Sequence, residues 1–182
     1  MHEANINCAA GYRLLRGVSA TVFDPGGSLS RGQAATILVN YVEWARNTFL
    51  SANDTVDFVD IAGSVHAANI EKAADNGIVQ GFADRTFRST QLITRGQFAT
   101  MAVRATERVL ETALFTNPTN TFEDDDGSVH EGSIEKAADN SILQGTGTRT
   151  FSPDANVSRG QSATIVVRAV SNVLYPAGAI AP

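Results

Sequence analysis

Arg31, Arg95 and Arg159 stand 64 residues apart, each preceded by a hydroxyl residue and followed by Gly-Gln. Ser30, Thr94 and Ser158 can cap a helix, with Gln33, Gln97 and Gln161 three residues on as the reciprocal partner of a capping box. That places each arginine in a first helical turn, at the positive end of the macrodipole, where a cation is disfavoured. Two chemistries would explain three such arginines. One is a carboxylate clamp, in which guanidinium and free N-terminal amides converge on an anionic ligand. The other is a salt bridge to an acid of a neighbouring copy, such as Asp60 or Asp124.

Other candidate groups are fewer. All three histidines, His2, His66 and His130, share one repeat position. They would form a three-His metal site only if they converged; a local backbone bond near a helix start is the commoner arrangement, and no metal is expected. Asp124-Asp125-Asp126-Gly127 lacks the alternating ligands and terminal Glu of an EF-hand, so it reads as a solvated acidic loop before a helix. Tyr41 and Trp44, unique to the first copy, read as packing residues. Ser, His and Asp recur symmetrically rather than converging in distinct roles, and there is no phosphate-cradling Gly-rich loop. The chain therefore reads as a non-enzymatic module without a cofactor.

The elements that position these residues follow from the repeat. The 64-residue shift also carries Ile6 to Ile70 to Ile134, Gly17 to Gly81 to Gly145, and Phe23 to Phe87 to Phe151. Residues 64–110 and 128–174 share 26 identities in 47 positions. Such self-similarity signals repeated supersecondary units. Each unit predicts two helices. The first, as in 64–78, has a narrow apolar face at Ile70, Ala73, Ala74 and Ile78, with Ser64 and Ser128 as N-caps, Glu131 completing a capping box, and Gly77 as a left-handed stop. Arg13 and Ser141 hold the stop position in the other copies. A loop with a turn glycine and an anchoring Phe follows. The second helix is apolar on more than one face, so 30–46, 94–110 and 158–174 should form a central bundle burying Ile37, Val39, Met101, Val103, Ile165 and Val167.

The expected fold is all-α: three helix–loop–helix repeats in a pseudo-threefold arrangement around a central three-helix bundle. The units divide as 1–46, 47–110 and 111–174, with a short tail at 175–182. Phe58-x-Asp60 and Phe122-x-Asp124 lead the second and third units; counting 64 back from Phe58 runs off the chain, so the first unit lacks this leader. Its vacant apolar slot would be patched by the tail around Ala179-Ile180 or would drive self-association.

Composition bounds the partners. The formal net charge is −5, with no basic stripe, which argues against nucleic acid. No apolar run approaches the roughly 18–20 residues of a membrane span. Cys8 is the single cysteine, so no intrachain disulfide forms. The opening Met-His-Glu-Ala-Asn does not resemble a signal peptide, which fits either an internal protein or a trimmed portion of an exported one.

Phe58-x-Asp60, Gly77-Ile78-x-x-Gly81, Thr150-Phe151-Ser152-Pro153 and Thr94-Arg95-Gly96-Gln97 together resemble the S-layer homology family, with its F-x-D leader, G-I-x-x-G turn, T-F-x-P loop and T-R-A-E helix start. Gly-Gln replaces Ala-Glu in all three copies, and Tyr12-Arg13-Leu14 stands where Asn-Gly-Ile is usual. The resemblance implies a helical spindle at the bacterial cell surface that binds secondary cell-wall polysaccharide. A pyruvylated sugar would sit in inter-repeat grooves, contacted by Arg31, Arg95 and Arg159 and by Gly81 and Gly145. The rival reading is a self-assembling subunit of a surface layer or fibre.

Overall fold

A computed structural model describes residues 2–53, 58–117 and 120–174, so the tail around Ala179-Ile180 lies outside the described residues. Six α-helices are present: α1 (Glu3–Gly11), α2 (Arg31–Arg46), α3 (Ala67–Asp75), α4 (Arg95–Leu110), α5 (Glu131–Asp139) and α6 (Arg159–Leu174). Short and long helices alternate, and no strand forms among the described residues.

The capping boxes start the long helices as expected. Ser30 Oγ accepts from Gln33 N at 3.3 Å while Gln33 Oε1 accepts from Ser30 N at 3.0 Å. Thr94–Gln97 and Ser158–Gln161 repeat the exchange. The short helices begin later than the sequence suggests. Their N-caps are His2, His66 and His130, without a side-chain cap bond. Ser64 and Ser128 instead bond the His66 and His130 amides in the preceding turn. Glu131 reaches back to Gly127 N at 2.8 Å, not to Ser128, so no capping box forms there. At the helix ends, Gly77 is left-handed at φ 72°, and so are Arg13 at 59° and Ser141 at 56°. The conformation is uniform although the residues are not.

The three long helices touch one another pairwise, which gives the central bundle. Each short helix packs on the long helix of the copy before it: α3 on α2, α5 on α4, and α1 on α6. Ion pairs reinforce two of these contacts, Lys72–Glu43 at 2.7 Å and Lys136–Glu107 at 2.9 Å. The corresponding positions in α1 and α6 are Cys8 and Ser171. Ile37, Val39, Met101, Val103 and Ile165 are buried; Val167, expected with them, is only partly so. Tyr41 crosses the bundle centre, fully buried, where the other copies have Ala105 and Ala169. Its hydroxyl donates to Ala169 O at 3.3 Å, and burial pushes its pKa up to about 12. Trp44 packs on Tyr12 with ring centroids 4.7 Å apart.

One end of the bundle is closed by a ring of main-chain bonds. Leu29 N donates to Val157 O, Val157 N to Ile93 O, and Ile93 N to Leu29 O, at 3.0–3.1 Å. The three side chains beneath the ring are fully buried. The first loop is less complete than the others. Phe87 and Phe151 are buried against Phe58 and Phe122, each pair 5.4 Å apart, whereas Phe23 is only partly buried.

Candidate functional site

Arg31, Arg95 and Arg159 are each buried, and all three reach into the loop of the next copy. Arg31 donates through Nε to Phe87 O at 2.9 Å and through Nη2 to Gln80 O at 3.1 Å. Arg95 bonds Phe151 O and Gln144 O in the same way, and Arg159 bonds Phe23 O and Arg16 O. Each guanidinium also lies over a loop ring, 4.7 Å from Phe87, 4.4 Å from Phe151 and 4.8 Å from Phe23. Burial lowers all three arginine pKa values, while Asp60, Asp124 and Asp24 respectively oppose the shift. Part of each arginine is therefore a strut between copies.

Neither chemistry expected from the sequence is seen in full. The first-turn amides are not free, because the same loops occupy them. Arg31 N donates to Gln91 O and Gly32 N to Ser89 O, with equivalent bonds at Arg95, Gly96, Arg159 and Gly160. The amide half of a carboxylate clamp is thus already spent on main-chain carbonyls. The acids named as salt-bridge partners serve elsewhere. Asp60 accepts from Phe87 N and Arg88 N, both at 2.7 Å, and Asp124 from Phe151 N and Ser152 N. They pin the loop that the arginine grips.

What each arginine still offers is a wall of a groove. Three grooves of closely similar size, about 380, 400 and 360 Å³, run beside α2, α4 and α6. The α4 groove brings together Arg31 from the first copy, Gln80 and Gly81 from the loop, Gln97, Thr100 and Arg104 from α4, and His130 from the third copy. In the α6 groove the same places are held by Arg95, Gln144, Gly145, Gln161, Thr164, Arg168 and His2. In the α2 groove they are Arg159, Arg16, Gly17, Gln33, Thr36, Asn40 and His66. Among the described residues no aspartate or glutamate lines any of the three. Val65 and Val129, both almost wholly exposed, add an apolar rim to the α2 and α4 grooves.

The histidines explain the glycines that follow the arginines. His66 Nδ1 lies 2.9 Å from Thr36 Oγ1, His130 Nδ1 2.9 Å from Thr100 Oγ1, and His2 Nδ1 2.8 Å from Thr164 Oγ1. In that pose each imidazole rests on the glycine of the facing helix. A Cβ on Gly32 would come within 2.9 Å of His66 and closer still to Ser89 Oγ, one on Gly96 within 3.1 Å of His130, and one on Gly160 within 3.0 Å of both His2 and the Pro25 carbonyl. The shared histidine position, joined at Gly32 and Gly160 by the loop of the next copy, accounts for the Gly in place of Ala. The histidines line three separate grooves and do not converge on a metal. Burial lowers the pKa of His66 and His130, favouring their neutral form.

Gly81 and Gly145 line grooves as the resemblance implies, yet packing alone requires them. A Cβ at either would overlap the ring of Phe58 or Phe122 and crowd the Thr86 or Thr150 carbonyl. Sequence reasoning missed Arg104, Arg168 and the paired threonines. A signal existed: Gln97, Thr100 and Arg104 fall at i, i+3, i+7 and recur with the same offset at Gln161, Thr164 and Arg168.

The acidic loop is not simply solvated. Asp126 accepts from Asn120 Nδ2 at 2.7 Å, but Asp125 is fully buried and neither carboxylate oxygen has a hydrogen-bond partner among the described residues. It occupies the place of buried Ile61 in the second copy. Burial, reinforced by Glu135 and Glu131, pushes its pKa up to about 6. No group of three or more potential metal ligands forms among the described residues.

Residues 57–99 and 121–163 match the sequence model of the S-layer homology domain. The chain carries S-layer homology repeats. The surface-anchoring relatives are consistent with this. A cellulosome-anchoring protein of Acetivibrio thermocellus is 26% identical over 157 residues, covering 86% of this chain and 35% of the relative. A surface-layer 125 kDa protein of Lysinibacillus sphaericus is 28% identical over 159 residues, covering 83% of this chain and 12% of the relative. An endoglucanase of a Bacillus species is 31% identical over 157 residues, covering 84% of this chain and 16% of the relative. The S-layer homology chain thus spans little more than a third of these proteins at most. No helix of the described residues is long and apolar enough to cross a membrane.

Proposed function

We propose that these S-layer homology repeats form a cell-surface anchoring module that holds an acidic secondary cell-wall polysaccharide, non-covalently, in the grooves between copies. The observation that carries this reading is the charge of the grooves. Among the described residues each is lined by two arginines and no carboxylate, on a chain whose formal net charge is −5. A cleft of one sign on an oppositely charged body concentrates a counter-charged ligand and repels others of the body's own sign. The grooves also offer what a sugar needs besides charge: a threonine hydroxyl, a glutamine amide and an imidazole on each floor, with a valine rim on the α2 and α4 grooves available to an apolar sugar face. A ketal-linked pyruvate is the acidic group that suits two guanidinium groups best, since its carboxylate can accept planar, charge-assisted bonds.

The strut role of Arg95 decides which variants test this. Arg104 and Arg168 are partly exposed, and among the described residues the side chain of each bonds a neighbouring glutamine and no main-chain carbonyl of a loop, so replacing them leaves the inter-copy struts whole. Pull-down and calorimetry against purified wall glycan should show an Arg104→Gln/Arg168→Gln protein binding at least about tenfold more weakly than the parent, with an unchanged melting temperature. Glycan stripped of its acidic substituents should behave the same way towards the parent. Undiminished binding in the double variant would remove the groove assignment.

A further inference from the structure

Two of the grooves carry the same pair of side chains across their mouths. In the α4 groove Arg104 Nη2 donates to Gln80 Oε1 at 3.4 Å, and in the α6 groove Arg168 Nη2 donates to Gln144 Oε1 at 2.9 Å. A guanidinium on the long helix faces an amide on the loop. Shifting by 64 residues, the α2 groove has Asn40 on the helix and Arg16 on the loop, and both line it. The amide and the guanidinium have changed sides.

This exchange conserves charge. Asn40 alone would leave the α2 groove with one arginine, and Arg16 alone would give it three. With both, it keeps two, Arg159 and Arg16, like its counterparts. The loop backbone holds the new arginine against the old one, since Arg159 Nη2 donates to Arg16 O at 2.6 Å. Attraction of an anion depends on the number of charges and their distance, not on which wall supplies them. The remaining lining is preserved as well: Gln33, Thr36 and His66 match Gln97, Thr100 and His130.

We infer that the α2 groove is a third working anion site whose second arginine comes from the loop, so that the chain is trivalent for a carboxylate-bearing saccharide. The inference rests on the groove reading above. Its consequence is avidity: three sites on one rigid body raise the effective concentration of every site once the first is filled.

The test is calorimetric titration of the whole chain with a wall-glycan oligosaccharide trimmed to a single ketal-linked carboxylate. The parent should titrate with three sites. Arg16→Gln should weaken one of them at least about tenfold and leave two. Arg16→Gln/Asn40→Arg, which restores the arrangement of the other grooves, should recover the third, and this separates lost binding from lost fold. A parent with only two sites, or three sites untouched by Arg16→Gln, overturns the inference while leaving the groove reading standing. A parent that binds no oligosaccharide defeats both, an outcome distinct from a stoichiometry of two.

Discussion

Replacing Asp125 with isoleucine should make the protein more stable, and the gain should depend on pH in a defined direction. The carboxyl is fully buried without a hydrogen-bond partner among the described residues, and the second copy fills the same place with Ile61. Its pKa of about 6 lies some two units above the ordinary value of 3.8. At about 1.36 kcal/mol per unit, the ionised carboxylate costs on the order of 3 kcal/mol of folding free energy once the pH exceeds the folded value. Because the folded value is the higher one, folding takes up protons, so the cost is complete above pH 6 and vanishes below about pH 4. Isoleucine's apolar burial and the removal of an unpaired buried carboxyl add a pH-independent gain to this. The titrating part alone should separate the thermal melts of parent and Asp125→Ile by roughly 6–12 °C at pH 7.5, taking about 2–4 °C per kcal/mol for a chain of this length. The gap should narrow by that amount towards pH 4. A gap constant from pH 4 to 7.5 would refute the argument, because the carboxyl would then not be titrating in a buried slot. A less stable variant at neutral pH would show that the carboxylate has a favourable partner.

Arg95→Ala should lower stability by about 3 kcal/mol or more in urea unfolding, since it strands the Phe151 and Gln144 carbonyls, whereas Arg104→Ala should change it by less than about 0.5 kcal/mol. Equal losses would deny the strut. For the seat of the imidazole, a double-mutant cycle between Gly96→Ala and His130→Ala should give a coupling of about 1 kcal/mol, with alanine at 96 more favourable once the ring is gone; additive effects would mean the two do not interlock. Ser141→Gly relieves a left-handed backbone that Gly77 already occupies freely, and should raise stability by about 0.5–1 kcal/mol in the same unfolding assay.

Much of the architecture was legible because it is written in periodic side chains. The 64-residue shift, the three capping boxes and the greasy long helices set the helix order and the buried faces of Ile37 and Val103. The site was less legible, for physical reasons. The targets of Arg31, Arg95 and Arg159 are backbone carbonyls, and every residue has one. The Gly32–His66 contact joins positions on different helices that no local pattern relates. Asp125 looks like part of a solvated acidic run, and only the fold reveals that its neighbour in register is Ile61. Arg104 and Arg168 were visible as a repeating polar face, but a polar face on a helix ordinarily means solvent.

The ring of bonds through Leu29, Ile93 and Val157, together with the packing of α1 on α6, bears on how the protein is made. In an open repeat array each unit leans on the one before, and folding can advance along the chain as it is synthesised. Here the α1 residue His2 waits for Thr164, 162 residues later, before its imidazole has a partner. The α6 groove cannot exist until the helix that carries Thr164 has left the ribosome. Early copies must remain unfinished during that interval, with the apolar faces of their helices uncovered. Closure should accordingly be slow relative to helix formation, and once complete it should make melting all-or-none, because no copy can detach without opening both of its neighbours.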